Sequence, residues 1–136
     1  MASFKNFPGM EGATYYYFGI PKNPVNEALV AAHYKQFKAP PDFFTAGGFS
    51  SAMALVTALK ATGGDVNTNK LIKTMEGMSF DTPKGMMTFR KEDHQALQSM
   101  YHFRVAPGAR PGTMADLYLV REIKAYEMNL PIRNQR

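Results

Sequence analysis

Between Gly47-Gly48 and Gly63-Gly64 lies the segment that most restricts how this chain can fold. Ala52, Leu55, Val56 and Leu59 recur at i, i+3, i+4 and i+7, the spacing that lines one face of an α-helix. The first glycine pair delivers Phe49 to the helix start. The second can take the left-handed conformation that closes a helix C-terminus. These four apolar residues are expected to face the core of an α/β protein, with residues 42–48 as the connector leading in.

The neighbouring segments extend the pattern. Residues 12–19, rich in Tyr and Phe and closed by Gly19 and Pro21, read as a buried strand. Asn23 is a natural N-cap, and Pro24 suits the first turn of a helix whose Val30, Tyr34 and Phe37 share a face. Pro40-Pro41 forbids its continuation. Thr68 is expected to cap a third helix, with Leu71, Ile72 and Met75 inward and Gly77 at its end. Gly85 to Phe89 reads as a short strand, followed by the charged turn Arg90-Lys91-Glu92-Asp93. Tyr101, Phe103 and Val105 then alternate with His102 and Arg104, the period of a half-buried strand. Residues 106–113 read as a loop, and the tail holds one apolar stretch, Leu117 to Ile123, before a polar end that looks like a C-terminus. Three helices and so few strands do not complete a doubly wound sheet. The chain is expected to be part of something larger, or to complete itself by pairing with another copy.

Composition narrows the function classes. With 45% hydrophobic and 20% charged residues the chain is globular. No run of about 18 apolar residues marks a membrane-spanning helix, and Met1 to Lys5 lacks the apolar core of a signal peptide. Zero cysteines exclude disulfides and thiolate metal sites. The net charge of +5 is spread along the chain; its nearest cluster, Arg121, Lys124, Arg133 and Arg136, fits a solvated surface better than a nucleic-acid footprint. His33, His94 and His102 lie far apart, none at metal-ligand spacing, and no phosphate-cradling loop or nucleophile motif occurs. The ten methionines are scattered, as core filler would be. Neither catalysis nor a cofactor or metal is expected.

The order of these motifs resembles a known family. Gly9-Met10-Glu11-Gly12, a strand, Pro21-Lys22-Asn23-Pro24, a helix, Gly48-Phe49-Ser50-Ser51-Ala52, a helix, Gly63-Gly64-Asp65, then Gly85 to Phe89 and His94-Gln95 is similar, over residues 9–106, to the C-terminal third of type I periplasmic solute-binding proteins. These are the leucine/isoleucine/valine-binding-protein-like receptors of ABC importers. Where the family often has Gly-Tyr-Asp-Ala, this chain has Gly48-Phe49-Ser50-Ser51.

The resemblance implies an α/β fold: a partial Rossmann-like lobe of a two-lobed receptor. Residues 12–90 would belong to the first lobe, opening with a crossing over residues 12–20. Residues 91–106 would return to the second lobe, and residues 107–136 would form a C-terminal tail. It also implies Phe49 as a ligand contact near the cleft mouth, with Tyr17 and Phe18 as further candidates. The ligand would be an aliphatic amino acid or an aromatic or organic acid. An ABC permease would be the partner in a periplasmic full-length protein, and self-association is expected of the segment alone. Two alternatives stand beside this reading: a small standalone α/β enzyme, and the ligand-sensing module of a cytoplasmic regulator.

Overall fold

The computed structural model describes residues 9–107 and 117–133. Most of the loop expected over residues 106–113, together with Met1 to Lys5 and Arg136, falls outside them. The elements run β1 (Glu11–Thr14), α1 (Pro24–Phe37), α2 (Phe43–Ala61), α3 (Thr68–Met75), β2 (Ser79–Thr82), β3 (Gly85–Phe89), β4 (Ala96–Leu97), β5 (Met100–Val105), β6 (Leu117–Ile123) and a 3-10 turn at Ala125–Met128.

Local chemistry sets the helix ends. The Asn23 side chain accepts the Asn26 N–H at 2.9 Å, with Pro24 in the first turn, as the sequence implies. Lys38 in the left-handed conformation closes α1 before the proline pair. The cap of α3 is Asn67, one residue ahead of the expected Thr68, because its side-chain oxygen accepts the Lys70 N–H. Gly63 and Gly64, at φ +69° and +86°, end α2, and the Gly64 N–H reaches back to Leu59 O.

The start and the buried face of α2 differ from expectation. The helix begins at Phe43, capped by Asp42, whose carboxylate accepts the Thr45 N–H at 2.8 Å. The glycine pair thus lies inside the helix, at a cost of about 1 kcal/mol per glycine against alanine that a capped 19-residue helix tolerates. Ala46, Ser50, Ala54 and Ala58 face inward, whereas Ala52, Leu55 and Val56 are exposed and Leu59 is half-buried. Both stripes satisfy helical periodicity. The small one wins because β2 and α3 lie close to the helix axis, and Phe80 and Met87 supply the volume across from it. Contrary to the composition-based expectation, α2 is also long and apolar enough to cross a membrane by those two criteria alone. Its many small side chains keep the sequence from reading as a greasy run.

A similar correction applies to α1. Tyr34 and Phe37 are exposed and Val30 is half-buried, while Asn26 and Leu29 form the buried face. The amide of Asn26 rotates the helix to this setting by binding the chain that leads into it, as described below.

Among the described residues all the strand pairs are antiparallel, in two three-stranded sheets ordered β1-β5-β6 and β2-β3-β4. The strand expected over residues 12–19 pairs only as far as Thr14, opposite Tyr101, and residues beyond it leave the sheet. β2 and β4, unexpected from the sequence, flank the expected strand at Gly85–Phe89, and the apolar stretch Leu117–Ile123 is β6. Tyr101 and Val105 are buried on β5, in keeping with the alternation. The product is a mixed α/β structure of three helices and small sheets, a partial lobe as expected. Its core has two parts. Tyr16, Leu29 and Ala46 form one, flanked by Tyr15, Phe18 and Phe49; Ala54, Phe80 and Met87 form the other, flanked by Met53, Met75, Met78 and Phe89.

Candidate functional site

Residues 15–23, between β1 and α1, lack regular structure and still carry much of the core. Their backbone polar groups need partners, and Asn26 supplies them. Its Nδ2 donates to Phe18 O and Pro21 O, each at 2.9 Å, and its Oδ1 accepts the Tyr16 hydroxyl at 2.7 Å. Burial pushes the Tyr16 phenol up to about 12. The Asn23 Nδ2 donates to Pro83 O at 3.0 Å, which fastens the same segment to the β2–β3 turn.

That turn holds Lys84, the charged group among the described residues that is most removed from water, at 7% exposure. Its ammonium donates to Ser99 O at 2.6 Å and Gln98 Oε1 at 3.0 Å, and lies 3.8 Å over the Tyr15 ring. Burial pushes its amine down to about 8, against the attraction of Glu122. Beside it opens a groove of about 920 Å³ whose walls include Lys84, Asn23, Tyr101, Glu122, Lys124 and Tyr126. Burial acts to raise the Glu122 pKa, but hydrogen bonds from Lys124, at 2.6 Å, and from Ser99 hold the carboxyl below its ordinary value. The groove can therefore bind through both polar and apolar walls.

The expected ligand contacts lie elsewhere. Phe18 and Phe49 pack on the same cluster, around Tyr16, Leu29 and Ala46, and both are half-buried. Tyr17 is buried, its ring 5.0 Å from that of Phe18. The structure thus gathers all three near one cluster, and none of them lines the groove. Phe43 and Phe44, read from sequence as connector, instead form an exposed pair with rings 4.0 Å apart on the first turn of α2. Asn26 and Lys84 also escaped the sequence reading. A polar residue in the first turns of a helix and a lysine between Pro83 and Gly85 both read as solvated positions, and no local signal marks their burial.

The histidines stay apart. His33 Nδ1 meets Ala39 O at 2.7 Å, His94 Nε2 pairs with Glu76 at 3.3 Å, and His102 Nε2 with Glu11 at 2.7 Å, where Arg104 also binds. No group of three metal-ligating side chains occurs among the described residues. Of the basic cluster near the end, Arg121 and Lys124 are engaged with Glu127 and Glu122.

A family model described as periplasmic binding protein matches residues 3–110. The chain is 62% identical to an ABC-type branched-chain amino acid transporter from Rhodopseudomonas palustris, with a TM-score of 0.88 over 99% of this chain and 36% of that one. It is 72% identical, with a TM-score of 0.57, to an ABC transporter of the same organism over 71% of this chain and 29% of that one. A solute-binding protein of an ABC transporter from R. palustris BisB5, in complex with 3,4-dihydroxybenzoic acid, is 28% identical at a TM-score of 0.73, over 87% of this chain and 31% of that one. No curated protein matches. The chain spans about a third of the length of these solved relatives. With the family model covering most of its length and a relative at 62% identity aligned nearly end to end, the chain belongs to the periplasmic binding protein family, as a partial lobe of the type I fold.

Proposed function

We propose that this chain forms part of a periplasmic receptor that binds a small solute and presents it to an ABC permease. The observation that carries this reading is the 62% identity, at a TM-score of 0.88, to an ABC-type branched-chain amino acid transporter. Function would lie in hinge closure of two lobes over the ligand, with no bond made or broken. The ligand class is an aliphatic amino acid or an aromatic acid. Both suit walls of aromatic side chains, which offer large area and ring stacking, and the relative bound to 3,4-dihydroxybenzoic acid supports the second.

Within this chain Phe49, Phe18 and Tyr17 are the proposed contributors to the ligand wall. The partial exposure of Phe18 and Phe49 favours them over the buried Tyr17. The exposed pair Phe43 and Phe44 joins them as a candidate, because one turn of α2 presents both rings together. The test is calorimetry on a receptor extended to the length of its relatives, against aliphatic amino acids and aromatic carboxylates. Binding of one class supports the reading, and Phe49→Ala should then weaken it about tenfold. No binding from either class would refute the solute proposed, and unchanged affinity in Phe49→Ala would remove that residue from the wall.

A further inference from the structure

Two connectors join the halves of the described structure. Residues 15–23 run from β1 to α1, and Gln98-Ser99 run from β4 to β5. Extensive packing stays within each half: α1 and α2 lie on β2 and α2 on α3, while β1 and β6 lie on β5. Apart from the hydrogen bonds of Arg90 to the carbonyls of Leu130 and Pro131, a change of angle between the halves must therefore be absorbed by a few connector residues, as in other hinged proteins.

One side chain touches both connectors. The Lys84 ammonium binds Ser99 O and Gln98 Oε1 in the second and sits over the Tyr15 ring in the first. Its main chain is held as well. The Lys84 N–H donates to Thr82 Oγ1 at 3.1 Å, and Lys84 O accepts the Tyr101 hydroxyl at 3.4 Å. A lysine in a two-residue hairpin turn ordinarily extends its amine into water. Burying that charge is costly unless polar partners replace the lost hydration, and here the hydrogen-bond acceptors and rings around the ammonium belong to a connector or to the strand that follows one, with Glu122 of β6 adding its attraction.

We propose that Lys84 is a positioning residue for lobe movement: by bridging Tyr15 to Gln98-Ser99 it holds the two halves at one preferred angle, and in the receptor it slows opening and ligand release. The effect on ligand release rests on the receptor reading above, whereas the bridge itself does not.

The titratable groups facing the ammonium are Tyr15 from the first connector, Tyr101 from β5 and Glu122 from β6. Burial pushes both phenols above their ordinary range, so they stay neutral at mildly alkaline pH, and Glu122 stays ionised. Raising the pH from about 7 to about 9 therefore removes charge from Lys84 before the phenols ionise, with Glu122 ionised throughout.

Because the chain has no cysteine, spin labels at Asp81→Cys on β2 and Tyr118→Cys on β6, both exposed, report the separation of the halves without background. The wild-type background should give one narrow distance distribution at neutral pH that widens about twofold at alkaline pH. Lys84→Met should be wide at both, and Lys84→Arg, which stays charged, narrow at both. Equal widths for wild type and Lys84→Met would overturn the proposal. If Lys84→Met fails to fold, Lys84→Gln, too short to reach both connectors, takes its place, and a width equal to that of wild type there overturns it. In the extended receptor Lys84→Met should speed ligand release about tenfold, a typical coupling between sites. Distances that respond in an extended receptor that binds no solute would leave the bridge standing and refute the receptor reading. Ligand binding with unaltered release in Lys84→Met would refute the role in opening.

Discussion

Replacing Asn26 with alanine tests the architecture at its most concentrated point. The amide makes three hydrogen bonds within 2.9 Å while the residue is 3% exposed, and all three hold the segment between β1 and α1. Each is worth about 0.5–1.5 kcal/mol net, and an orphaned buried partner costs roughly 1–3 kcal/mol. Asn26→Ala orphans the Tyr16 hydroxyl and the carbonyls of Phe18 and Pro21, so the loss should be roughly 3 kcal/mol, or on the order of 10 °C in Tm for a domain of this size. The cap on α1 survives, because that bond uses the backbone N–H of Asn26 and the side chain of Asn23. Urea unfolding followed by tyrosine fluorescence measures the loss. Tyr16→Phe removes one partner and should cost about 1 kcal/mol, and the double mutant should show coupling of similar size. A loss below about 1 kcal/mol in Asn26→Ala, or additive single mutants, would mean that the segment reaches water and that this account of its anchoring is wrong.

Three further outcomes follow from the same structure. Leu55→Ala and Val56→Thr should each cost no more than about 0.5 kcal/mol in this chain, whereas Ala58→Leu should cost about 1–3 kcal/mol by overpacking; chemical denaturation that reverses this order would restore the larger stripe to the core. The Arg90 guanidinium binds Asp93 through two bonds and the carbonyls of Leu130 and Pro131 at 2.7 and 3.2 Å, so Arg90→Ala should expose residues 130–133 to limited proteolysis read by mass spectrometry; an unchanged cleavage pattern would show that the tail has other fastenings. The pH dependence has opposite signs at two groups. Tyr16, raised to about 12, favours the fold below about pH 10 and loses that contribution as pH climbs through 12. Lys84, lowered to about 8, burdens the fold at neutral pH, so wild type should gain on Lys84→Met between about pH 8 and 10.5. A difference in Tm between these two proteins that does not change with pH would show that the amine is already neutral or well hydrated.

Much of this protein was legible residue by residue. Asn23 with Pro24, the proline pair after α1, the glycine pair after α2, the strand Gly85–Phe89 and the alternation along β5 all act through local backbone preference, which needs no knowledge of neighbours. The shortage of strands marked an incomplete sheet, and the resemblance carried by the order of motifs named the family, a partial lobe of a type I receptor. Tertiary structure decided which side of a helix is inside. For α2 both the Ala46-Ser50-Ala54-Ala58 stripe and the Leu55-Val56 side obey the same period, and only the close approach of β2 and α3 selects the smaller. It also decided that Asn26 and Lys84 are buried. Their partners, Phe18 and Pro21 for one, Tyr15, Gln98 and Ser99 for the other, are brought in by the path of the connectors. For Lys84 those partners lie up to 69 residues away along the chain, so burial there is a property of the assembled fold and not of the residues beside it.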